Sequence, residues 1–460
     1  MSLRPGEESA AAAERWPEER TDWLGVAFGL ALSCFVAFQQ FKLPPVLPEL
    51  LQTFHYPREL AAGFMSVYAL IGLLGSVPLG RWLKRRGYRA GLPLGIASTA
   101  LGLVLALVFA RFGAVLLLAR ALEGVTYAVF AIAGPVIATG SARFRDLPLV
   151  TGLLAGWIPV GQIVAGLLAL AVPQGHALTQ ALGLADWQVT WLAALALTLL
   201  LGLFCWRFSH HQDVSSVNSR AKARRTVTAD TESVKSAPAT VSSVTGPAPA
   251  AGSGPGGGRN WPGLLSAGTF LLWSCQFFAF MTWLTQYLKE QHNLQQQTAI
   301  LVYLIPVVVL LGFNLLTGWA LGRGLSLMPA LITGLALQGV VWVLAPFLND
   351  VTGVMALVVY GICSGIIPTC LFHLPHHIAA HRHQLAAGPS TGQLQELGIK
   401  AGPEAFATLM TGRNIGVFFG PLLLPQLLGW LGQWNLAAQA IALVTWLAGG
   451  LVLILARHLR

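Results

Sequence analysis

The chain has 460 residues and a formal net charge of +10, with 55% hydrophobic residues against 10% charged ones. A soluble domain carries about 25% charge, and the mean hydropathy here is +0.65. That balance excludes a water-exposed enzyme, a secreted disulfide scaffold and a nucleic-acid reader, and points to a chain that crosses a bilayer many times.

Residues 1–22 hold Glu7, Glu8, Glu14, Glu18, Glu19 and Asp22. A cleavable signal needs a basic start and an apolar core, so this stretch reads as a tail and the first apolar segment as a retained span. At about 20 apolar residues per crossing, twelve segments follow: roughly 23–42, 60–82, 90–110, 113–140, 148–171, 187–208, 262–287, 297–320, 327–347, 351–373, 403–430 and 436–457. They lack the alternation of a barrel strand. The fold class is therefore an all-α membrane protein of twelve transmembrane helices. An even count puts both termini on one side. Of the Lys and Arg residues, 22 fall on that side, four (Lys42, Arg58, Arg111, Lys289) on the other, and two (Arg120, Arg413) inside spans. Positive loops stay inside, so both termini are expected in the cytoplasm. The Ala, Gly and Leu bias fits a bacterial inner, or plasma, membrane.

The middle of the chain changes character. Residues 212–260 contain no Leu, Ile, Met, Phe, Tyr or Trp. Such a stretch has no apolar surface to offset its ordering entropy and is expected to be a flexible linker. The chain then divides into a tail (1–22), a six-helix bundle (23–211), the linker (212–260) and a second six-helix bundle (261–460). Another hydrophilic stretch, 374–402, is expected between the tenth and eleventh spans.

The halves look alike at three points. Val67-Tyr68 matches Val302-Tyr303, Gly80 to Gly87 matches Gly318 to Gly324, and Gly161 with Gly166 matches Gly416 with Gly420. A duplicated unit of this kind places a transported solute between the repeats. The series Gly152, Gly156, Gly161, Gly166 and Gly412, Gly416, Gly420 read as seams of close helix approach.

A charge at mid-membrane costs at least about 2.5–3.5 kcal/mol, so those that persist are informative. Of 18 acids only Glu123 falls deep in a span, and of 28 basic residues only Arg120 and Arg413. Arg413 is expected near the midplane, with no acid three or four residues away. Its guanidinium suits a carboxylate or small oxyanion, or else is a structural group bonded to carbonyls or to an acid on another helix. Asn414 points about 100° away and is assigned to packing. Arg120 and Glu123 stand three residues apart on one face. They either simply pair, or form a relay in which Glu123 takes up H⁺ and frees Arg120.

Gln39, Gln40 and Gln276 are candidates for lining a solute path, and Tyr68, Tyr127, Trp157 and Gln162 are weaker ones. For each the competing reading is interhelical bonding or packing. Lys42 is expected to snorkel to the outer surface. Cys34, Cys205, Cys275, Cys363 and Cys370 form no CxxC pair and read as buried small hydrophobes. His373, His376, His377, His381 and His383 cluster at the inner end of the tenth span, where Pro375 is expected to interrupt the helix. With no Cys or acid beside them, they read as a polar collar rather than a metal or pH-sensing site. No metal or cofactor is expected.

Six plus six helices with a long central loop resemble the major facilitator superfamily. Between its second and third helices that family carries Gly-x-x-x-Asp-Arg-x-Gly-Arg-Arg or similar. Here the place holds Gly80-Arg81-Trp82-Leu83-Lys84-Arg85-Arg86-Gly87-Tyr88-Arg89. Gly80, Arg85, Gly87 and Arg89 match in spacing, while the usual Asp is Lys84. The resemblance implies a gating motif in which the acid caps a helix and latches the cytoplasmic gate, a task Lys84 does not share. Arg120-x-x-x-Gly124 is similar to the family's Arg-x-x-x-Gly motif. Residues Gln39 to Pro48, Ala62 to Leu70, and Gly412-Arg413-Asn414-Ile415-Gly416 with Gly420-Pro421 are similar to the cyanate and nitrate/nitrite porter-like branch. Nitrate porters place arginines in the second and eighth helices and this chain has none there, so nitrate is not carried over.

The expected function is secondary active transport of a small anionic or polar solute by alternating access, with H⁺ as the candidate coupling ion. The partners are a small-molecule solute and the lipid bilayer, without nucleic acid, and a monomer is expected. One deep acid, no HExxH and no Gly-x4-Gly-Lys-Ser/Thr loop argue against an enzyme. Two alternatives stand beside this: drug or metabolite efflux by proton antiport, which the apolar wall favours, and a non-transporting sensor on the same fold, which Lys84 favours.

Overall fold

The computed structural model describes residues 21–143, 146–172, 183–211, 261–345, 350–386 and 391–459. The expected linker lies outside them. Every regular element among the described residues is a helix, as a bilayer demands of a chain that must satisfy its backbone within each crossing. The N-terminal half holds α1 (Trp23–Phe41), α2 (Leu43–Phe54), α3 (Arg58–Arg86), α4 (Tyr88–Phe109), α5 (Gly113–Ser141), α6 (Leu147–Ala155), α7 (Trp157–Ala171) and α8 (Asp186–His211). The C-terminal half holds α9 (Trp261–His292), α10 (Gln296–Gly322), α11 (Leu327–Leu344), α12 (Asp350–Ala386), α13 (Thr391–Leu431) and α14 (Trp434–His458). Among the described residues, eleven stretches are long and apolar enough to cross a membrane, with α1 and α2 counted as one. The pair α6 and α7, bent by 48° at Gly156, brings the number to twelve when counted as one span.

Asp22 caps α1, accepting from the Gly25 amide at 3.1 Å, and its own amide donates to the Ser141 carbonyl. This joins the start of α1 to the end of α5. We call that end of the bundle, where the described chain ends lie, the near end, and the opposite one the far end. At the near end Gly87 has φ +82°, outside the range that suits L side chains, and separates α3 from α4. Gly87 is thus the motif residue whose conformation the turn requires. Arg85 is exposed, while the side chains of Lys84 and Arg89 lie outside the described residues.

One expectation is corrected here. Helix α12 runs through Pro375 to Ala386. The proline forfeits one backbone bond, but buried Leu371, Leu374 and Ile378 hold the helix on both sides of it. The described residues of the hydrophilic stretch 374–402 are helical, since polar residues such as Gln, Glu and Lys are good helix formers once outside the bilayer.

The repeat shows in the packing. A Cβ on Gly124 would meet the Tyr68 carbonyl and Ile71 Cβ of α3; one on Gly361 would meet the Pro306 carbonyl and Val309 Cβ of α10. Gly161 faces the Cys34 carbonyl, Ala37 Cβ and Phe38 nitrogen of α1. Gly416 faces the Leu271 carbonyl, Ser274 Cβ and Cys275 nitrogen of α9. One register shift, within a residue, therefore carries α1, α3 and α5 onto α9, α10 and α12, while α7 falls on α13 with a longer shift. Phe41 and Phe278 are equivalent under it and stack on each other at 5.6 Å across the seam. The Gly161/Gly416 likeness is thus structural. The Val-Tyr likeness is not, because Tyr68 corresponds to Pro306. Gly152 meets nothing within 4 Å, so the seam on the fifth span is shorter than its glycine spacing implies.

The halves also latch at the far end. Arg58 Nη2 donates to both carboxylate oxygens of Glu290 at 2.9 Å. Trp434 Nε1 donates to Glu290 at 2.8 Å, and Gln286 donates to the same carboxylate. Arg58 is 43% exposed, so the ion pair alone is worth about 0–1 kcal/mol. It ties α3 of one half to α9 of the other, so it is a contact whose loss can change which end of the bundle is closed. Glu290→Gln is expected to increase, several-fold, the labelling rate of a cysteine placed at Thr285 by a membrane-impermeant thiol reagent, since about 1.4 kcal/mol shifts a population tenfold. An unchanged rate would remove the latch from the gating account.

Candidate functional site

The first span breaks at Lys42, and the sequence Leu43-Pro44-Pro45-Val46-Leu47-Pro48 explains why. Proline has no N–H and cannot bond to the carbonyl four residues back. Pro44 therefore releases the Gln40 carbonyl, and Pro48 releases the Pro44 carbonyl. Arg120 Nη2 reaches the first at 3.5 Å. Thr285 of the other half donates to the second. Gln296, also of the other half, donates to the Pro45 carbonyl. The kinked segment thus serves an internal cation on one side and the inter-half seam on the other.

At the break, Lys42 turns inward. Its Nζ lies 2.9 Å from Glu123 Oε2, and both side chains are fully buried. Arg120, also fully buried, donates through Nη1 to the same oxygen. Lys42 also donates to Gln39 Oε1 at 2.5 Å and sits over the Trp191 ring at 5.1 Å. Gln39 Nε2 donates in turn to Thr198 Oγ1 at 3.3 Å. Arg120 is further fixed by the carbonyls of Phe64 and Gln39, each at 3.0 Å, and by the Tyr68 ring at 4.7 Å. The hydroxyl of Tyr68 donates to the Val36 carbonyl at 2.8 Å.

One carboxylate is shared by two cations, so the ionised cluster carries one excess positive charge. Removing ions from water costs several kcal/mol each unless they are paired and hydrogen-bonded. Glu123 Oε1 and Trp191 Nε1 are buried without a hydrogen-bond partner, an unspent acceptor and an unspent donor in one cluster. The cluster lies roughly 10–15 Å below the far end of α5, at 1.5 Å per residue.

Lys42 is the correction of largest consequence. Its side chain does not snorkel outward, because the break and the Glu123 carboxylate draw it in. Arg120 and Glu123 do pair, but as two members of three. Gln39 is in the cluster by its side chain. Gln40 is buried and contributes its carbonyl. Tyr127 is half-buried and packs on Tyr68 at 5.7 Å rather than bonding the charges.

In the C-terminal half the register shift places Gln276 where Gln39 stands and Tyr360 where Glu123 stands. The result is a neutral cluster. Gln276 Oε1 accepts from Trp342 Nε1 at 3.1 Å and from the Tyr360 hydroxyl at 3.2 Å. Gln276 Nε2 donates to Gln338 Oε1 at 3.2 Å, and Gln338 Nε2 to Ser364 Oγ at 2.9 Å. The buried ion cluster thus belongs to one repeat, and its counterpart is neutral. Gln162, from α7, donates to the Tyr303 hydroxyl of α10 at 2.8 Å and bridges the halves.

Arg413 stands apart from all of this. It lies about 8 Å into the apolar stretch Thr408–Leu431, counted at 1.5 Å per residue, toward the near end rather than at the midplane. Its neighbour Gly412 faces Ala267 of α9, whereas Lys42 is level with the Phe41–Phe278 contact. Arg413 is 6% exposed and donates to Asn414 Oδ1 at 3.1 Å, so Asn414 serves the arginine rather than packing alone. No carboxylate pairs with Arg413 among the described residues. Of the histidines, His373 contacts the Thr369 carbonyl at 2.9 Å; the side chains of His376, His381 and His383 lie outside the described residues. No group of three metal-ligating side chains occurs among the described residues.

Comparison with solved structures agrees with the fold. A bacterial homologue of the human lysosomal transporter Spinster, inward-facing and unoccupied, superposes with a TM-score of 0.70 at 12% identity, covering 96% of this chain and 98% of that one. A bacterial Spinster homologue in the inward-facing, occupied conformation gives 0.67 at 12% identity over the same shares. No curated protein matches the sequence. The profile of the Major Facilitator Superfamily matches residues 29–388. The chain belongs to the Major Facilitator Superfamily, as a multi-pass membrane transporter and not an enzyme.

Proposed function

We propose that this transporter moves a small anionic or polar solute across the plasma membrane by proton-coupled alternating access, with both termini cytoplasmic and the chain acting as a monomer. The observation that carries this is the 2:1 cation-to-carboxylate cluster of Lys42, Arg120 and Glu123, next to the inter-half seam and with a neutral counterpart in the other repeat. Protonating Glu123 would release both cations at once. A charge change of that size biases two packings that differ by a few kcal/mol. Excess positive charge favours anions over cations on the path. The far-end latch fits a state open toward the cytoplasm, and Arg413, toward the near end without an acid, is the cation we assign to the incoming solute.

The test is transport in liposomes under an imposed pH gradient, with a panel of small anions, sugars and lipophilic cations. Uptake of an anion with proton movement supports the proposal. Movement of lipophilic cations alone would replace it with efflux. Binding is checked separately by thermal stabilisation, since a ligand that binds only the folded state raises apparent stability. A charged hydrogen bond is worth about 1.5–3 kcal/mol, so Arg413→Gln is expected to weaken anion binding roughly tenfold or more. Its melting temperature without ligand should stay within a few degrees of wild type. Equal stabilisation of both proteins by the anion would take Arg413 out of the site.

A further inference from the structure

The C-terminal half encloses a second space, away from the charged cluster. A cavity of about 290 Å³ lies among α9, α10, α11 and α12 at the far end. Its deep wall is formed by Phe280, Trp342 and Tyr360. The polar atoms of Trp342 and Tyr360 both point to Gln276 Oε1, so only their rings face the cavity. Phe280 packs on those rings at 4.9 and 4.5 Å. The polar lining sits at the other end, where His292 closes α9 and exposed Thr298 opens α10. Gly353 and Ala356 on α12 keep the space wide; a Cβ on Gly353 would meet nothing within 4 Å. On the same helix Val351, Val354 and Met355 are exposed, which sets the mouth beside the lipid-facing belt.

Several properties narrow the occupant. The walls give water few of the two to four partners it needs, so the body must be apolar. Among the described residues no Lys, Arg, Asp or Glu lines the cavity, so a charged head would find no partner among them. The volume is at the small end for ligand pockets, room for one chain rather than two. We propose that this cavity binds a single-chain amphiphile with an uncharged polar head, its tail against Trp342 and Tyr360 and its head at His292 and Thr298. Occupancy would bear on the latch, because Tyr287 of the cavity wall packs on Trp434 at 5.4 Å and Trp434 donates to Glu290. The site is independent of the solute assigned above.

The experiment is photolabelling of the full chain in amphipol with a monoacylglycerol that carries a diazirine at its tail end, followed by peptide mapping. Label is expected on α12 between Gly353 and Tyr360 or on α11 around Trp342. Gly353→Phe and Ala356→Phe, which narrow the mouth and the deep part, should each lower it at least fivefold. Gly353→Phe projects into open space, so its fold and its melting temperature without probe should be kept. Label spread evenly over lipid-facing helices and unchanged in both variants would overturn the site. Equal labelling by a diacyl lipid or a fatty-acid anion bearing the same group would overturn the single chain or the uncharged head, respectively.

Discussion

Glu123→Gln is expected to destabilise the folded protein by about 3–5 kcal/mol, the cost of stripping the counter-charge from buried ions, and to abolish proton-coupled transport. The amide keeps the shape of the carboxylate, so packing is not what is lost. What remains is two cations, Lys42 and Arg120, both fully buried, facing a neutral group. Lys42→Met should behave differently. It leaves Glu123 and Arg120 as a balanced pair, so no uncompensated buried charge of the kind that makes breaking a pair costly is created. The double variant should therefore recover stability relative to Glu123→Gln alone, with a coupling energy inside the range of about 0.5–3 kcal/mol seen for contacting residues. Unfolding in detergent measures all three. If Glu123→Gln were as stable as wild type, the shared-carboxylate account would be wrong. Transport separates the roles further: Lys42→Met should retain solute exchange while altering its dependence on the pH gradient.

Much of this was legible in the sequence, and the exceptions have a common cause. The membrane-crossing helices follow from apolar runs, a local property. Arg120 and Glu123 could be paired because three residues on one helix face fix their proximity. Lys42 was assigned outward because it ends an apolar run, and nothing local marks the difference between a lysine that reaches for water and one that reaches for a carboxylate on another helix. A signal did exist. Pro44, Pro45 and Pro48 remove N–H groups that would have served the carbonyls of Gln40, Phe41 and Pro44, and a buried break with orphan carbonyls calls for a donor nearby. Arg120 and Thr285 are those donors. The neutral cluster around Gln276 was half visible, since Gln276, the α11 pair Gln338 and Trp342, and Tyr360 lie on three different helices and meet only in the fold. Arg413 was placed by counting from the start of an apolar segment, and the latch residues Arg58, Glu290 and Trp434 carried no local mark.

Gly416→Leu and Gly161→Leu are expected to be the most damaging substitutions outside the charged cluster. Each glycine lets a backbone carbonyl of a neighbouring helix, Leu271 or Cys34, come within what would be the radius of a side chain. A backbone oxygen cannot swing aside as a side chain can, so the helices themselves must part. Overpacking a core costs about 1–3 kcal/mol, and more where the backbone has to move. Membrane helices gain their association from this kind of contact, with no hydrophobic drive between them to compensate. The two substitutions should therefore lower the yield of folded protein and the melting temperature alike, because they damage equivalent seams, α7 on α1 and α13 on α9. Gly152→Leu is the control. A Cβ there meets nothing within 4 Å, and the stability should stay close to that of wild type. If all three behaved alike, the loss would reflect helix insertion rather than packing, and the two seams would not be what holds each repeat together.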